Sequence, residues 1–313
     1  MTAAGPRVLF AAGHERWADY EAPLRRAFAE LGLTVDLARD LAPESVDSIV
    51  YDPKAGLDDF RPYTRCKAVL SLWAGVESIV GNRTLTQPLC RMVDPGLTEG
   101  MVEWVTGHVL RHHLDIDFSL SHQAGEWVVR IPPLARDRHV GVLGLGALGA
   151  SCARALAALN FRVSGWARRP KEVPGVTVHS GADGLDEVLS RSEILVTLLP
   201  LTPETRDILD ARALALMPKG AVVVNPGRGA LIDDAALLAA LDSGHLGHAT
   251  LDVFRVEPLP RDHPFWGHPR VTVTPHIAAE TRPASAARVI AENVRRGEAG
   301  APFLYLVDRG AGY

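Results

Sequence analysis

The sequence predicts an α/β protein of two domains, one of them a doubly wound parallel sheet. Three observations carry this. Short apolar runs alternate with helical patterns along the chain, the alternation restarts after Ile131-Pro132-Pro133-Leu134, and a glycine-rich turn opens the second series. With 313 residues, two hydrophobic cores are the natural expectation.

In the first series, residues 8–12, 35–37, 48–51 and 68–72 read as strands, and residues 22–31 as a helix ended by Gly32. Glycine enters left-handed backbone without a Cβ penalty and so terminates a helix well. From Glu99, apolar residues at Met101, Val105, Val109 and Leu110 step by three and four, which predicts a connecting helix running towards Phe118. The two prolines at 132 and 133 lack amide donors and hold their predecessors extended, so they break regular structure. The second series predicts strands at 140–143, 162–165, 194–198, 221–225, 248–251 and 271–273, the rhythm of a nucleotide-binding sheet. A last helix is expected at 284–296, with 303–307 returning to the first domain. The expected domains are residues 1–100 with 284–313, and residues 101–283.

Composition narrows the function. Against 37 acidic residues stand 33 Lys and Arg, a net charge of -4 with no long like-charge run, so a nucleic-acid partner is excluded. No run of about 18 apolar residues predicts a membrane span, and the N-terminus lacks the ordered parts of a secretory signal. Cys66, Cys90 and Cys152 are an odd number without a close pair, which predicts reduced thiols in a cytoplasmic protein and no thiolate metal site. His112, His113, His263 and His268 come without the carboxylate or thiol cluster that a metal geometry needs, and no metal is expected.

The run Val140-Gly141-Val142-Leu143-Gly144-Leu145-Gly146-Ala147-Leu148-Gly149 places GxGxxG between a predicted strand and an alanine-rich helix. In a Rossmann-type sheet, Gly144 makes the tight turn and Gly146 lets backbone amides approach a pyrophosphate. Gly149 lets the helix lie close on the strand, and the amides of Ala147 and Leu148 belong to the positive helix end. At the end of the second strand, where an NAD site places an acid against the ribose 2′-hydroxyl, the chain reads Gly165-Trp166-Ala167-Arg168-Arg169-Pro170-Lys171. Arg168 and Arg169 offer planar donor forks for a 2′-phosphate, so NADP(H) is expected in preference to NAD(H), which remains possible. The bland alternative is a pair of solvated cations at a turn.

Three later segments each follow a predicted strand: Asn225-Pro226-Gly227-Arg228-Gly229, the run from Asp252 to Leu259, and Thr274-Pro275-His276-Ile277-Ala278-Ala279. Ligands of open α/β sheets gather beyond the carboxyl ends of the strands. There Arg228 suits a carboxylate, His276 a proton transfer, and Glu257 the orientation of the imidazole and stabilisation of its charged form. Together they describe reduction of a carbonyl. Singly, each is an ordinary loop residue.

The ordered set of motifs resembles the D-isomer-specific 2-hydroxyacid dehydrogenase family, and within it the glyoxylate/hydroxypyruvate reductase A branch. The set comprises Ser71-Leu72-Trp73-Ala74-Gly75-Val76-Glu77, the glycine fingerprint, Leu199-Pro200-Leu201-Thr202-Pro203-Glu204-Thr205, the three segments above and Val307-Asp308-Arg309. The resemblance implies a flavodoxin-like substrate domain, Arg228 as carboxylate binder, His276 as proton donor and Glu257 as its partner. It implies that the amides of Ala74, Gly75 and Val76 hold the substrate's carboxylate, that Leu199 and Pro200 lie at the cofactor, and that Asp252 lies near the nicotinamide carboxamide. Trp73 departs from the small residue usual before Ala-Gly-Val, and either narrows the substrate pocket or packs between domains. Tyr51 and Met101 sit where relatives line the pocket, or in the core. The implied activity is NADPH-dependent reduction of a small 2-oxo acid to the 2-hydroxy acid by a homodimer. Another D-2-hydroxyacid dehydrogenase and a non-catalytic, nicotinamide-sensing corepressor-like protein are the alternatives.

Overall fold

The computed structural model describes residues 5–310. They divide into two compact units, one built from the residues up to Leu97 and from Glu280 onward, the other Thr98–Ala279. Both crossings precede the expected ones by a few residues. The backbone of Ala278 and Ala279 lies against Gly100, so the helix around Gly100 and the chain end near 279 belong to the same unit.

The first unit has a five-stranded parallel sheet made of β1 (Arg7–Ala11), β2 (Asp36–Ala38), β3 (Ser48–Tyr51), β4 (Ala68–Ser71) and β5 (Leu89–Cys90), in the flavodoxin-like order β2-β1-β3-β4-β5. All four residues of β3 and of β4 are buried, as expected of parallel strands covered on both faces. Helix α1 (His14–Glu30) buries Tyr20, Leu24, Ala27 and Phe28, a stripe at three- and four-residue steps. It starts earlier than its apolar pattern suggests, because its first turns are polar. Gly32 at φ 68° ends it, with the Leu33 amide donating to the Phe28 carbonyl and that of Gly32 to Ala29. Strand β5 is only two residues long and escapes a periodicity search.

The second unit begins within α2 (Pro95–His113), whose Met101, Val105 and Val109 enter the core beside Val140 and Val142. After α3 (Ile116–Ser121) and an extended stretch come β6 (His139–Leu143), α4 (Ala147–Ala158), β7 (Arg162–Trp166), β8 (Val176–His179), α5 (Gly181–Arg191) and β9 (Ile194–Thr197). Then follow α6 (Ala211–Leu216), β10 (Ala221–Asn225), α7 (Asp234–Asp242), β11 (Leu246–Leu251) and β12 (Val271–Val273). The parallel order β12-β11-β10-β9-β6-β7-β8 is the doubly wound topology, with β6 and β9 flanking the point where strand order reverses. The sequence predicts six strands and the sheet has seven. The extra strand, β8, is a half-exposed edge strand whose lone paired neighbour is β7, so it lacks the apolar run that marks the others.

The chain then returns to the first unit through α8 (Pro283–Glu298), which packs Ala286, Ala287, Ile290, Ala291 and Val294 into the same core as α1. The segment beyond it closes the sheet edge, where the Val307 amide donates to Leu89 and Leu306 pairs with Cys90. No helix among the described residues is long and apolar enough to cross a membrane.

Candidate active site

The turn after β6 is made by sterics. Gly144 has φ 95°, and a Cβ there would stand 2.6 Å from the Leu198 carbonyl oxygen beyond β9; at Gly149 it would stand 1.8 Å from the Gly144 oxygen. At Gly146 nothing lies within 4 Å, so that position faces open space. The glycine turn is therefore pressed against the end of β9, at the reversal of strand order, and opens on its other side. There the first-turn amides of α4, from Ala147 onward, have no acceptors within the helix. An open approach to first-turn amides that have no acceptor within the helix suits a pyrophosphate.

At the end of β7 the position of an acidic residue is held by Ala167, which is buried, followed by the exposed Arg168 and Arg169. Lys171 bends back so that Nζ donates to the Leu145 carbonyl at 2.5 Å, which sets a third cation beside the glycine turn. Its assignment was within reach of the sequence, as one more basic residue in the same turn. The absent carboxylate and these cations fit a dinucleotide phosphorylated on the ribose. Leu199 is buried and Pro200 half-buried, and the Pro200 carbonyl accepts from Thr205 Oγ1 at 2.7 Å, so this loop is fixed from within.

Beyond β10, Asn225 is 1 % exposed and organises its turn. Its Oδ1 accepts from Thr197 Oγ1 at 2.6 Å and from the Gly227 amide at 3.1 Å, while Nδ2 donates to the Arg228 carbonyl at 3.0 Å. Arg228 Nη1 donates to the Gly227 carbonyl at 2.7 Å. Gly229 follows because a Cβ there would overlap the backbone of Phe254, 2.0 Å from its carbonyl carbon. That contact joins the arginine loop to the loop after β11. There the Phe254 amide donates to Glu257 Oε1 at 3.0 Å, and Glu257 Oε2 accepts from His276 Nδ1 at 2.7 Å. Arg228, Glu257 and His276 are thus carried by loops in direct succession of contact. The imidazole is half-exposed, and among the described residues Nε2 has no hydrogen-bond partner.

His276 itself has φ 55°, left-handed backbone that a histidine adopts only under constraint. Asp252, which is 0 % exposed, supplies it: its carboxylate accepts from the amides of Ile277 and Ala278, each at 2.9 Å, and from Thr274 Oγ1 at 2.5 Å, while its carbonyl accepts from the His276 amide. The resemblance implies a place for Asp252 near the nicotinamide carboxamide; within the protein, its carboxylate contacts are all to the histidine turn.

In the first unit, Trp73 packs against the core with Lys54 Nζ 4.9 Å from its ring centre, and Val76 is buried. Among the described residues the amides of Ala74, Gly75 and Val76 donate to no acceptor. Tyr51 and Met101 are both core residues, 4 % and 5 % exposed.

An open sheet with a phosphate cradle at its switch point, and an arginine and a carboxylate-paired histidine beyond neighbouring strands, defines a nucleotide-dependent oxidoreductase. Residues 107–278 match the family described as D-isomer specific 2-hydroxyacid dehydrogenase, NAD binding domain. A glyoxylate/hydroxypyruvate reductase A from Serratia proteamaculans (strain 568) is 42% identical over 257 residues, 80% of this chain and 82% of that protein. Of solved structures, a D-isomer specific 2-hydroxyacid dehydrogenase from Xanthobacter autotrophicus Py2, in complex with NADPH and MES, superposes with a TM-score of 0.91 at 42% identity, covering 99% of this chain and 100% of that one. An NADPH-dependent glyoxylate/hydroxypyruvate reductase from Sinorhizobium meliloti, in complex with NADP and sulfate, gives 0.88 at 36% identity, covering 98% and 100%. The chain belongs to the D-isomer specific 2-hydroxyacid dehydrogenase family.

Proposed function

We propose that this protein is an NADPH-dependent reductase of a small 2-oxo acid, glyoxylate or hydroxypyruvate, forming the 2-hydroxy acid. The observation that carries the reading is the His276–Glu257 pair at 2.7 Å, which occupies Nδ1 and leaves Nε2 to face a ligand. The Xanthobacter and Sinorhizobium relatives, solved with NADPH and with NADP, support the choice of cofactor, as does the basic turn at Arg168, Arg169 and Lys171.

When bound, the reduced nicotinamide supplies the hydride. His276 delivers a proton from Nε2 to the substrate's carbonyl oxygen, and the Glu257 carboxylate steadies the charge that the ring carries before transfer. Arg228 pairs with the substrate's carboxylate and draws electron density from the adjacent carbonyl, combining orientation with electrostatic stabilisation. The amides of Ala74, Gly75 and Val76, beside Trp73 in the first unit, are donors suited to a carboxylate. Residues 144–149 would hold the pyrophosphate of the bound dinucleotide, with Leu199 and Pro200 beside it. Asp252 positions His276 through the backbone.

The reading extends to a homodimer in the cytoplasm. Trp127, Val129 and Ile131 are 96%, 72% and 85% exposed on one irregular stretch, an apolar strap that a second copy would cover. Met101, Val105 and Val109 of α2 face the protein's own core instead. The three cysteines are buried free thiols, which suits a reducing compartment.

The test is the loss of NADPH absorbance on adding glyoxylate or hydroxypyruvate to the purified protein. Turnover that vanishes in His276→Gln supports the reading; no oxidation of NADPH with either acid, or turnover untouched by that substitution, overturns it.

A further inference from the structure

Arg255 lies two residues before Glu257 in the loop after β11, and its guanidinium reaches both other loops of this face. It hydrogen-bonds the Asp207 carboxylate in the loop after β9 and the Ile232 carbonyl in the loop after β10. Its Nε stands 3.5 Å from Asp234 Oδ1 at the start of α7, where His263 Nε2 approaches the other carboxylate oxygen at 3.9 Å. The segments it joins are already laced together: the Asp207 amide donates to Ala230 at 2.9 Å, and Leu209 pairs with Ile232. Asp207 sits at φ 54°, a left-handed backbone that costs a non-glycine residue energy and that its fixed carboxylate and amide maintain. Those same three loops carry Leu199 and Pro200, Arg228, and Glu257.

We propose that Arg255 is a positioning residue for the reduction: by clamping the loop after β11 onto Asp207 and Asp234 it holds Glu257 at hydrogen-bond distance from His276 Nδ1. A pair of side chains about one-third exposed adds little to global stability. What the clamp restricts is the loop, because residues 254–259 have no regular structure to fix the direction of the carboxylate. Planar donors in a fixed fork reach acceptors on separate loops at once, which a lysine, with a compact charge, does only in part.

The role rests on the function proposed above, and two readouts separate them. In steady-state kinetics, Arg255→Ala is expected to lower kcat about tenfold, short of the roughly hundredfold that a misplacement of about 1 Å can cost, with the KM for NADPH unchanged. Arg255→Lys is expected to recover part of the loss. In a Glu257→Gln background Arg255→Ala should cost nothing further, since the two changes act through one contact. Unchanged kcat in Arg255→Ala, or an equal loss with and without Glu257, overturns the role. The second readout needs no turnover: the Nδ1–H proton resonance of His276, assigned by its loss in His276→Gln, should broaden into solvent exchange in Arg255→Ala and persist in Arg255→Lys. A resonance as sharp in Arg255→Ala as in the parent chain overturns the clamp even if the protein reduces no 2-oxo acid.

Discussion

The turn at residues 144–149 and the turn at 274–278 follow strands of one sheet, and both force the chain through left-handed backbone, at Gly144 with φ 95° and at His276 with φ 55°. They reach it by opposite means. At the first, the side chain is deleted, and the absent Cβ lets Gly144 lie against Leu198. At the second, the side chain is the proposed proton donor and has to stay, so a carboxylate buried at the end of another strand pulls the following amides into place. A binding turn can be built from what is missing, whereas a proton donor needs a scaffold supplied from elsewhere in the chain.

The contrast is tested most severely at the imidazole. His276→Gln should lower kcat by about 10² or more while leaving NADPH binding near that of the parent, the scale of a lost general acid. Binding measured by quenching of protein fluorescence and turnover measured by absorbance would have to fall together to contradict it.

The phosphate end gives the next largest effect. Arg168→Ala with Arg169→Ala removes charge-assisted hydrogen bonds and should raise the KM for NADPH by about 10- to 100-fold with little change for NADH. Equal losses for the two cofactors would take the arginines away from the 2′-phosphate.

A matched pair then compares the two scaffolds directly. Gly144→Ala places a methyl group against Leu198 in a strained backbone, at a cost of roughly 1–3 kcal/mol, and should weaken NADPH binding. Asp252→Asn leaves one acceptor oxygen where three donors converged, also at about 1–3 kcal/mol, and should lower kcat with NADPH binding retained. If Asp252→Asn weakened NADPH binding as much as Gly144→Ala does, the main role of Asp252 would lie with the cofactor and not with the histidine turn. Thermal melts of both variants give the stability side.

The smallest effect concerns histidines outside the site. Burial, with a smaller contribution from the neighbouring His248, pushes His112 down to about 3, and burial brings His248 to about 4. Both rings bond threonine hydroxyls, His112 to Thr250 at 2.8 Å and His248 to Thr272 at 2.9 Å. Since their folded values lie below the ordinary 6.5, the unfolded chain takes up protons that the folded one refuses. Their contribution is complete above about pH 6.5 and declines as pH falls towards 4. His248→Gln should flatten the fall of Tm over that window; a slope like that of the parent would show that other groups govern it.

Much of this was legible in the sequence because it is local. The glycine spacing, the missing acid beyond β7, and the Arg, Glu and His each placed just after an apolar run depend on residues close together in the chain. Strands buried on both faces announced themselves as continuous apolar runs. Strand β8 did not, because an edge strand buries too little to leave such a run. Asp252 was visible as a residue but not as a scaffold, since its partners lie 22–26 positions away. Arg255 was visible as one more cation, while its partner Asp207 lies 48 positions off.

Sequence by itself determined the alternation of strand and helix, the glycine turn after β6 and the identity of the groups that can bind a carboxylate or move a proton, because each follows from short-range sterics or from side-chain chemistry. Tertiary structure alone decided which way those groups are held. The Glu257–His276 bond, the left-handed histidine and the guanidinium linking three loops depend on strand order in the sheet, which brings remote segments within hydrogen-bond reach.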